Sequence, residues 1–310
     1  MTKRKLSNKK SNRPLISIIT PSLNQGEFIE DSIKSMLSQS FKNWEHIVMD
    51  GLSTDNTLEV LKKYKHVRVY SGKDKGYWDA LTKGVKKARG KYIMICMASD
   101  GYLNKRWFEK CVDILENDKE VSLVWGFPRR LEGKKLTQSP YPHFHRSGPP
   151  QKFDWFPYWL MTGEALPNED FCIRKTVFEQ CNTISDKTPK GYELFEFNYN
   201  FNVNGYVPFN IHEIAEFSRE HEGRIGRRWG KLLADAAKKY DQNIKKHRTK
   251  LLSNKIQHKY RNSDGKIINK EVNLTGVSEF KSRYLKTRNL IYITVQRGPS
   301  KLRKKITSFV

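Results

Sequence analysis

Residues 15–101 open with LISIITPSLNQGEFIEDSIKSMLSQSF (15–41), continue through NWEHIVMDGLSTDNTLEVLKKY (43–64) and close on KDKGYWDALTKGVKKARGKYIMICMASDG (73–101). Four short apolar runs stand out: LISII (15–19), HIVM (46–49), VRVY (67–70) and YIMICM (92–97). All four lead into polar, Gly- or Asp-bearing turns, and helical patterns fill the gaps between them. Phe28, Ile29, Ile33, Met36 and Leu37 mark the inner face of a first helix. Ser53 or Thr54 is expected to cap the second, with Asp55 in its first turn and Leu58 and Leu61 facing inward. A third helix is expected from about Tyr77 to Ala88. Each strand–helix–strand step is short enough for a right-handed crossover. The fold expected is α/β, a mostly parallel Rossmann-like sheet flanked by helices, with ligand groups at the carboxyl ends of its strands.

The pattern continues with a helix near 105–116 and a strand at VSLVW (121–125). It then breaks over 128–170, which is rich in Pro, Gly and aromatic residues. Helices are expected around 171–181 and 192–202. Beyond residue 224, Trp229, Leu232, Leu233, Ala236, Ala237, Tyr240 and Ile244 form an apolar stripe at helical spacing with lysines opposite. The expected organisation is a basic disordered N-terminus (1–13), a catalytic domain (14–223, halves 14–125 and 126–223) and a basic, partly helical C-terminal extension (224–310).

Charge sharpens this division. The chain of 310 residues carries a net charge of +25. Residues 1–13 hold six Lys/Arg and no acid, and residues 224–310 hold 24 against five acids, so the body between them is neutral. Mean hydropathy is −0.73, and the sequence holds no apolar run of the length a membrane span needs. The N-terminal MTKRKLSNKKSNRP lacks the apolar core of a secretory signal, so a cytoplasmic address is expected. Cys96, Cys111, Cys172 and Cys181 match no zinc-ribbon or redox spacing and read as reduced packing residues.

Chemistry is expected first at the strand ends. Asp50 and Asp100 both project from carboxyl ends of strands, where a carboxylate can accept from a base N–H or ribose hydroxyl, or hold a divalent cation on phosphate oxygens. In Asp74-Lys75-Gly76-Tyr77-Trp78-Asp79-Ala80-Leu81-Thr82-Lys83, Gly76 permits close approach at a helix start, where exposed N–H groups suit a phosphate. Asp79 and Lys83, four apart, share a helix face and can equally form a salt bridge.

With these pieces in order, SIITPSLN, IVMDGLSTDNT, DKGYWDALTKG and YIMICMASDG, the segment 15–101 resembles the nucleotide-binding half of a family 2 glycosyltransferase with the GT-A fold. The resemblance implies transfer of a sugar from a nucleotide-sugar donor, UDP-linked, with inversion. It implies that Pro21, Ser22 and Asn24 line the nucleotide and Asp50 reads the base. Asp74, Gly76, Asp79 and Lys83 then fall near ribose, diphosphate or sugar. Ser99 and Asp100 take the place of the acidic motif that holds Mg²⁺ or Mn²⁺. Two departures stand out: Gly101 follows Asp100 where the family often has a second carboxylate, and Thr82 stands where Asn is frequent. An inverting transferase also needs a base for the acceptor hydroxyl. Glu169 is preferred, then Asp170, then Glu193, although Gly191 stands where many relatives carry Asp.

Other features have more than one reading. Phe153, Trp155, Phe156, Tyr158 and Trp159 can stack on acceptor sugars, pack in the core or touch lipid. His143 and His145 read as a solvated loop rather than metal ligands. The helix at 229–249 and the tail KLRKKITSFV combine basic and apolar residues, which suits an anionic membrane surface; in the alternative the helical stripe packs on the body. The expected partners are therefore a nucleotide-sugar donor, a glycan or lipid-linked acceptor and an anionic membrane, with the enzyme peripheral at its inner face. The competing classes are a nucleic-acid binder, which the neutral body and missing recognition motifs disfavour, and a non-catalytic nucleotide-sugar-binding module, which Gly101 motivates.

Overall fold

Side-chain alternation decides the first strand. In the computed structural model, which describes residues 13–137, 149–166, 171–185, 187–223, 230–253 and 258–270, β1 (Ile16–Ser22) turns Ile16 and Ile18 to one apolar cluster and Ile19 to another, all fully buried. A central strand covered on both faces requires this. β2 (Trp44–Asp50) pairs parallel to it on one side, with β3 (Val67–Ser71) parallel to β2 beyond, and β4 (Tyr92–Ile95) pairs parallel to β1 on the other. Strand order therefore reverses between β1 and β4, which leaves a crevice at their carboxyl ends. β4 is shorter than the apolar run predicts, because Asp100 N–H closes a turn onto the Met97 carbonyl.

The helices between these strands follow the sequence. α1 (Ile29–Leu37) buries Ile29, Ile33 and Met36; α2 (Thr57–Lys62) buries Val60 and Leu61. α3 (Tyr77–Lys87) lies on β1 and β2 through Leu81, Gly84 and Val85. The start of α2 is a correction: its N-cap is Asn56, which makes no side-chain cap hydrogen bond. Asp55 Oδ1 accepts the Thr57 N–H at 2.9 Å. Ser53 and Thr54 are taken up instead in bracing Asn24, described below.

The second half of the sheet is mixed. After β5 (Gly101–Tyr102) and α4 (Trp107–Asn117), the long β6 (Val121–Glu132) folds back on β7 (Lys135–Thr137). α5 (Trp155–Thr162) precedes β8 (Phe171–Arg174), which is antiparallel to both β4 and β6. Residues 171–174 are thus strand, and helix begins only at α6 (Lys175–Cys181), correcting the helix expected from 171. α7 (Glu193–Val203) leads to β9 (Val207–Glu220), parallel to β6 and antiparallel to β5.

α8 (Gly230–Ser253) and the small hairpin β10 (Tyr260–Arg261) and β11 (Ile267–Ile268) close the described chain. Ala236, Tyr240, Ile244 and Leu251 of α8 belong to the same buried cluster as Trp155 and Trp159. Trp159 Nε1–H donates to the Tyr240 hydroxyl at 2.7 Å, and the His258 ring stacks on Phe156. The described part of the stripe is therefore spent on the body, while Trp229 and the tail KLRKKITSFV lie outside the described residues. Trp155, Phe156, Tyr158 and Trp159 are all buried, so packing, not sugar stacking, accounts for them. The four cysteines are buried, and none of them forms a disulfide.

Candidate functional site

Register brings the first group together. Ser22 of β1 lies beside Asp50 of β2, which lies beside Ser71 of β3, so three polar residues line the carboxyl edge in a row. Asp50 is 1% exposed. Its Oδ2 accepts the Ser71 hydroxyl at 2.7 Å and the Ser53 N–H at 3.2 Å. The Ser22 hydroxyl is buried and has no hydrogen-bond partner among the described residues. A buried polar atom left this way costs free energy unless a ligand or water meets it. Next to the row opens a cleft of about 240 Å³, lined by Asp50, Tyr70, Ser71, Lys73, Asp74 and Lys83 among others. Tyr70 is held by the Arg68 guanidinium, which donates to its hydroxyl at 2.6 Å, with Lys87 over its ring.

Two loops frame the cleft. Asn24, exposed and at φ +52°, donates its N–H to Ser53 Oγ at 2.8 Å; its Oδ1 accepts the Thr54 N–H at 2.8 Å. It thereby ties the β1–α1 loop to the β2–α2 loop, while Pro21 is buried in the strand. Asp74 Oδ1 accepts the Gly76 N–H at 2.9 Å, and its Oδ2 leans toward Gly51, where an added Cβ would come within 2.8 Å. Gly76 has φ 129°, a conformation side chains rarely adopt, so the chain enters α3 by a route that needs glycine. Asp79 and Lys83 pair with each other at 2.7 Å. Asp79 also accepts the Lys75 N–H, and Lys83 also donates to the Lys73 carbonyl. Burial raises the Asp79 carboxyl, but Lys83 and the Lys75 N–H outweigh it and hold it below its ordinary value. The pair fixes the 73–75 loop against the cleft. Thr82 accepts from Asn182 Nδ2, which links α3 to the end of α6.

Asp100, 4% exposed, sits past the end of β4. Its Oδ1 accepts the Arg219 backbone N–H at 2.8 Å and the Ser99 hydroxyl at 3.2 Å; Ser218 Oγ stands 3.5 Å from Oδ2. Arg219 is the residue that sequence reasoning missed. Its Nε–H donates to the Ser99 carbonyl at 3.0 Å and its Nη2 to Asp31 Oδ2 of α1 at 2.8 Å. Its guanidinium carbon lies 5.1 Å from the centre of the Phe28 ring and 5.4 Å from that of Phe217. Two residues on, the His221 ring packs against Phe28. The signal available in the sequence was slight: Ile214, Ala215 and Phe217 of EIAEFSRE (213–220) precede a charged end.

Gly101 fits this arrangement tightly. A Cβ there would meet Ser35 Oγ at 2.8 Å and two Phe217 ring atoms at 2.9 Å, so the acidic motif has no room for a second carboxylate. Among the described residues no group of three or more His, Cys, Asp or Glu is placed to hold a metal. One buried carboxylate flanked by hydroxyls is nonetheless a donor set of the kind Mg²⁺ or Mn²⁺ accepts when substrate phosphates complete the shell.

Of the three candidate bases, Glu169 and Asp170 lie outside the described residues, as do His143 and His145. Phe171, which follows them, stands at the carboxyl edge of β4 because β8 runs antiparallel to it. Leu166, on the near side, donates its N–H to Asn198 of α7. Glu193 opens α7 after the left-handed Gly191, and its Oε2 is buried without a hydrogen-bond partner among the described residues.

The glycosyl transferase family 2 profile matches residues 17–222. TuaG of Bacillus subtilis, named for a proposed role in teichuronic acid biosynthesis, is 35% identical over 108 residues, 33% of this chain and 42% of TuaG. A chondroitin synthase of Escherichia coli is 32% identical over 38% of this chain and 18% of its own length. The chain thus spans less than half of either relative. Among solved structures, S. aureus TarS in complex with UDP-GlcNAc aligns with TM-score 0.54 at 16% identity, over 67% of this chain and 59% of that one. The mannosyltransferase PcManGT of Pyrobaculum calidifontis, in complex with GDP-Man and Mn²⁺, aligns with TM-score 0.51 at 13% identity, over 96% and 79%. At such identities the likeness to these two establishes the GT-A fold.

Proposed function

The chain belongs to glycosyltransferase family 2, and from that premise we propose that it transfers a sugar from a UDP-sugar donor to a hydroxyl of a glycan or lipid-linked acceptor, with inversion, in polysaccharide biosynthesis. The observation that carries the donor half is the row Ser22, Asp50 and Ser71 beside the cleft. An ionised carboxylate is acceptor-only, and the Ser71 and Ser53 donors hold that of Asp50 in one orientation. It would take the imide N–H of uracil, with the partnerless Ser22 hydroxyl bonding the nucleotide. The UDP-GlcNAc complex of TarS supports uridine; the GDP-Man complex of PcManGT makes guanosine the second reading. The names of TuaG and chondroitin synthase support an acidic polysaccharide as the product class.

In the reaction, the acceptor hydroxyl oxygen forms a bond to the anomeric carbon as the bond from that carbon to the diphosphate oxygen breaks. The electron pair of the broken bond leaves with the nucleoside diphosphate. The hydroxyl proton would pass to one carboxylate acting as base, with Glu169 the first candidate, Asp170 the second and Glu193 the third. Asp74 and Gly76 would face the ribose and diphosphate, and the Asp79–Lys83 pair would keep their loop in place. Asp100 would hold Mg²⁺ or Mn²⁺, which supplies positive charge opposite the leaving diphosphate.

Thermal unfolding with UDP, GDP, CMP and ADP, each with and without Mn²⁺, tests this on wild type and Asp50→Ala. A ligand at a hundred times its dissociation constant stabilises by about 2.7 kcal/mol. UDP is expected to shift the wild type and not the variant. A shift by GDP alone selects the second reading, and no shift with any nucleotide sinks the donor site.

A further inference from the structure

The described part of the C-terminal extension presents one unusual surface. α8 is 24 residues long, about 36 Å at 1.5 Å per residue. Its inward face is Ala236, Tyr240, Ile244 and Leu251, buried against α5 and α7. The opposite side carries Lys231, Lys238 and Lys245, seven apart and so nearly in line, with Lys246 and Lys250 alongside; all five are exposed. Lys239 lies over the Tyr192 ring, with its ammonium 4.6 Å from the ring centre. The acids on the helix are Asp235 and Asp241.

We propose that this lysine face is a docking surface for an anionic phospholipid bilayer, held by charge alone and without insertion. Three observations choose that occupant. Among the described residues the apolar stripe that would enter acyl chains is already spent on the body: even Leu232, 38% exposed, packs against Gly191. Charge complementarity calls for a polyanion, and the row is straight and rigid because the helix is packed along its length. Glycan sites add aromatic platforms to their polar groups, whereas Tyr240, the one Phe, Tyr or Trp of the helix, is buried. Lysine is a compact hydrated point charge on a flexible stem, suited to a diffuse field rather than to a shaped ligand. Among the described residues no helix is long and apolar enough to cross a membrane.

The position of the helix adds a consequence. Leu232 and Leu233 abut Gly191, just before Glu193, and Asp241 lies against Gly163, in the chain leading to Glu169. Adsorption through this face would hold the acceptor side of the protein near the bilayer, where a lipid-linked acceptor resides. That purpose rests on the transferase reading; the adsorption itself does not, and it is measured without turnover.

The test is co-sedimentation of the full chain with vesicles of phosphatidylcholine alone or mixed with phosphatidylglycerol, comparing wild type with Lys238→Gln/Lys245→Gln/Lys246→Gln. A second variant, Lys231→Gln/Lys250→Gln, probes the same face, and the melting temperature of each reports folding. Wild type is expected on anionic vesicles only, and released by 0.5 M salt. A lysine at such a surface contributes about fivefold in partition, so the triple variant is expected to bind on the order of a hundredfold more weakly. Brominated acyl chains are expected to leave tryptophan fluorescence unquenched. Undiminished binding of both variants would assign adsorption to the basic chain ends and overturn the proposal. So would binding to neutral vesicles, quenching by the brominated lipid, or preference for polygalacturonate over vesicles that is lost in the same variants.

Discussion

Replacing Arg219 by alanine removes a side chain that is 13% exposed and makes three kinds of contact. The Nε–H to the Ser99 carbonyl is a charge-assisted hydrogen bond in a shielded position, worth about 1.5–3 kcal/mol. The ion pair with Asp31 contributes less than about 1 kcal/mol, because Asp31 is 59% exposed and solvent screens it. The two rings, Phe28 and Phe217, add about 0.5–1 kcal/mol each. These contacts share one group and are not additive, so a loss of about 3 kcal/mol is expected. At about 2–4 °C per kcal/mol for a domain of this size, the melting temperature falls by roughly 6–12 °C. Asp100 keeps the Arg219 backbone N–H in the variant, but the Ser99–Asp100 turn loses its tie to α1. The stabilisation that UDP with Mn²⁺ confers should therefore shrink along with the apo melting temperature. Asp31→Asn, by contrast, should cost less than about 1 kcal/mol and leave the nucleotide shift intact. Calorimetry with and without nucleotide reads both quantities. An alanine variant within about 1 kcal/mol of wild type, with a full nucleotide shift, would refute the claim that Arg219 positions Asp100.

Two further substitutions probe the frame of the site. Glu45, 7% exposed, accepts the Ser17 hydroxyl at 2.7 Å, the Arg89 N–H at 2.7 Å and the Arg68 and Arg89 guanidinium groups; because the two arginines are themselves 33% and 54% exposed, Glu45→Gln should cost about 1–3 kcal/mol in urea unfolding, the range of weakened charge-assisted hydrogen bonds. Burial raises the Glu45 carboxyl, but the Arg89 N–H, the Ser17 hydroxyl and both arginines outweigh it, leaving it below the ordinary value of 4.5. Its contribution is thus complete above about pH 4.5 and lost as pH falls through the lower folded value, so the wild-type stability curve should show an acid limb there that the variant lacks. Gly101→Ala should destabilise by about 1–3 kcal/mol by overpacking against Phe217 and Ser35. Gly101→Asp should cost at least as much and add no Mn²⁺ affinity in calorimetric titration; a gain in affinity at wild-type stability would contradict the crowding read from the structure.

The parts of the site that the sequence reveals and those it hides differ in a physical way. Asp50 and Asp100 are legible because each is an acid following an apolar run, and a strand in an open parallel sheet delivers its last residues to the crevice. Their partners are not. Ser71 meets Asp50 only through the register of β2 on β3, and Arg219 meets Asp100 across 119 residues of chain. No local period encodes either meeting. β8 shows the same limit in the fold. Phe171–Arg174 fits the phase of the helix that follows it, and a strand of four residues is too short to announce itself against that. Antiparallel neighbours on both sides decide it, together with Arg174, whose buried guanidinium donates to the Val121 and Asp118 carbonyls. The same holds for Ser53 and Thr54, whose capping chemistry is sound but is claimed by Asn24 from another loop. In this protein, then, residue type and period locate the carboxylates, while non-local pairing supplies the donors that orient them. A substitution at Ser71 or Arg219 should therefore change how the acids are aimed while leaving the pattern that betrays them untouched.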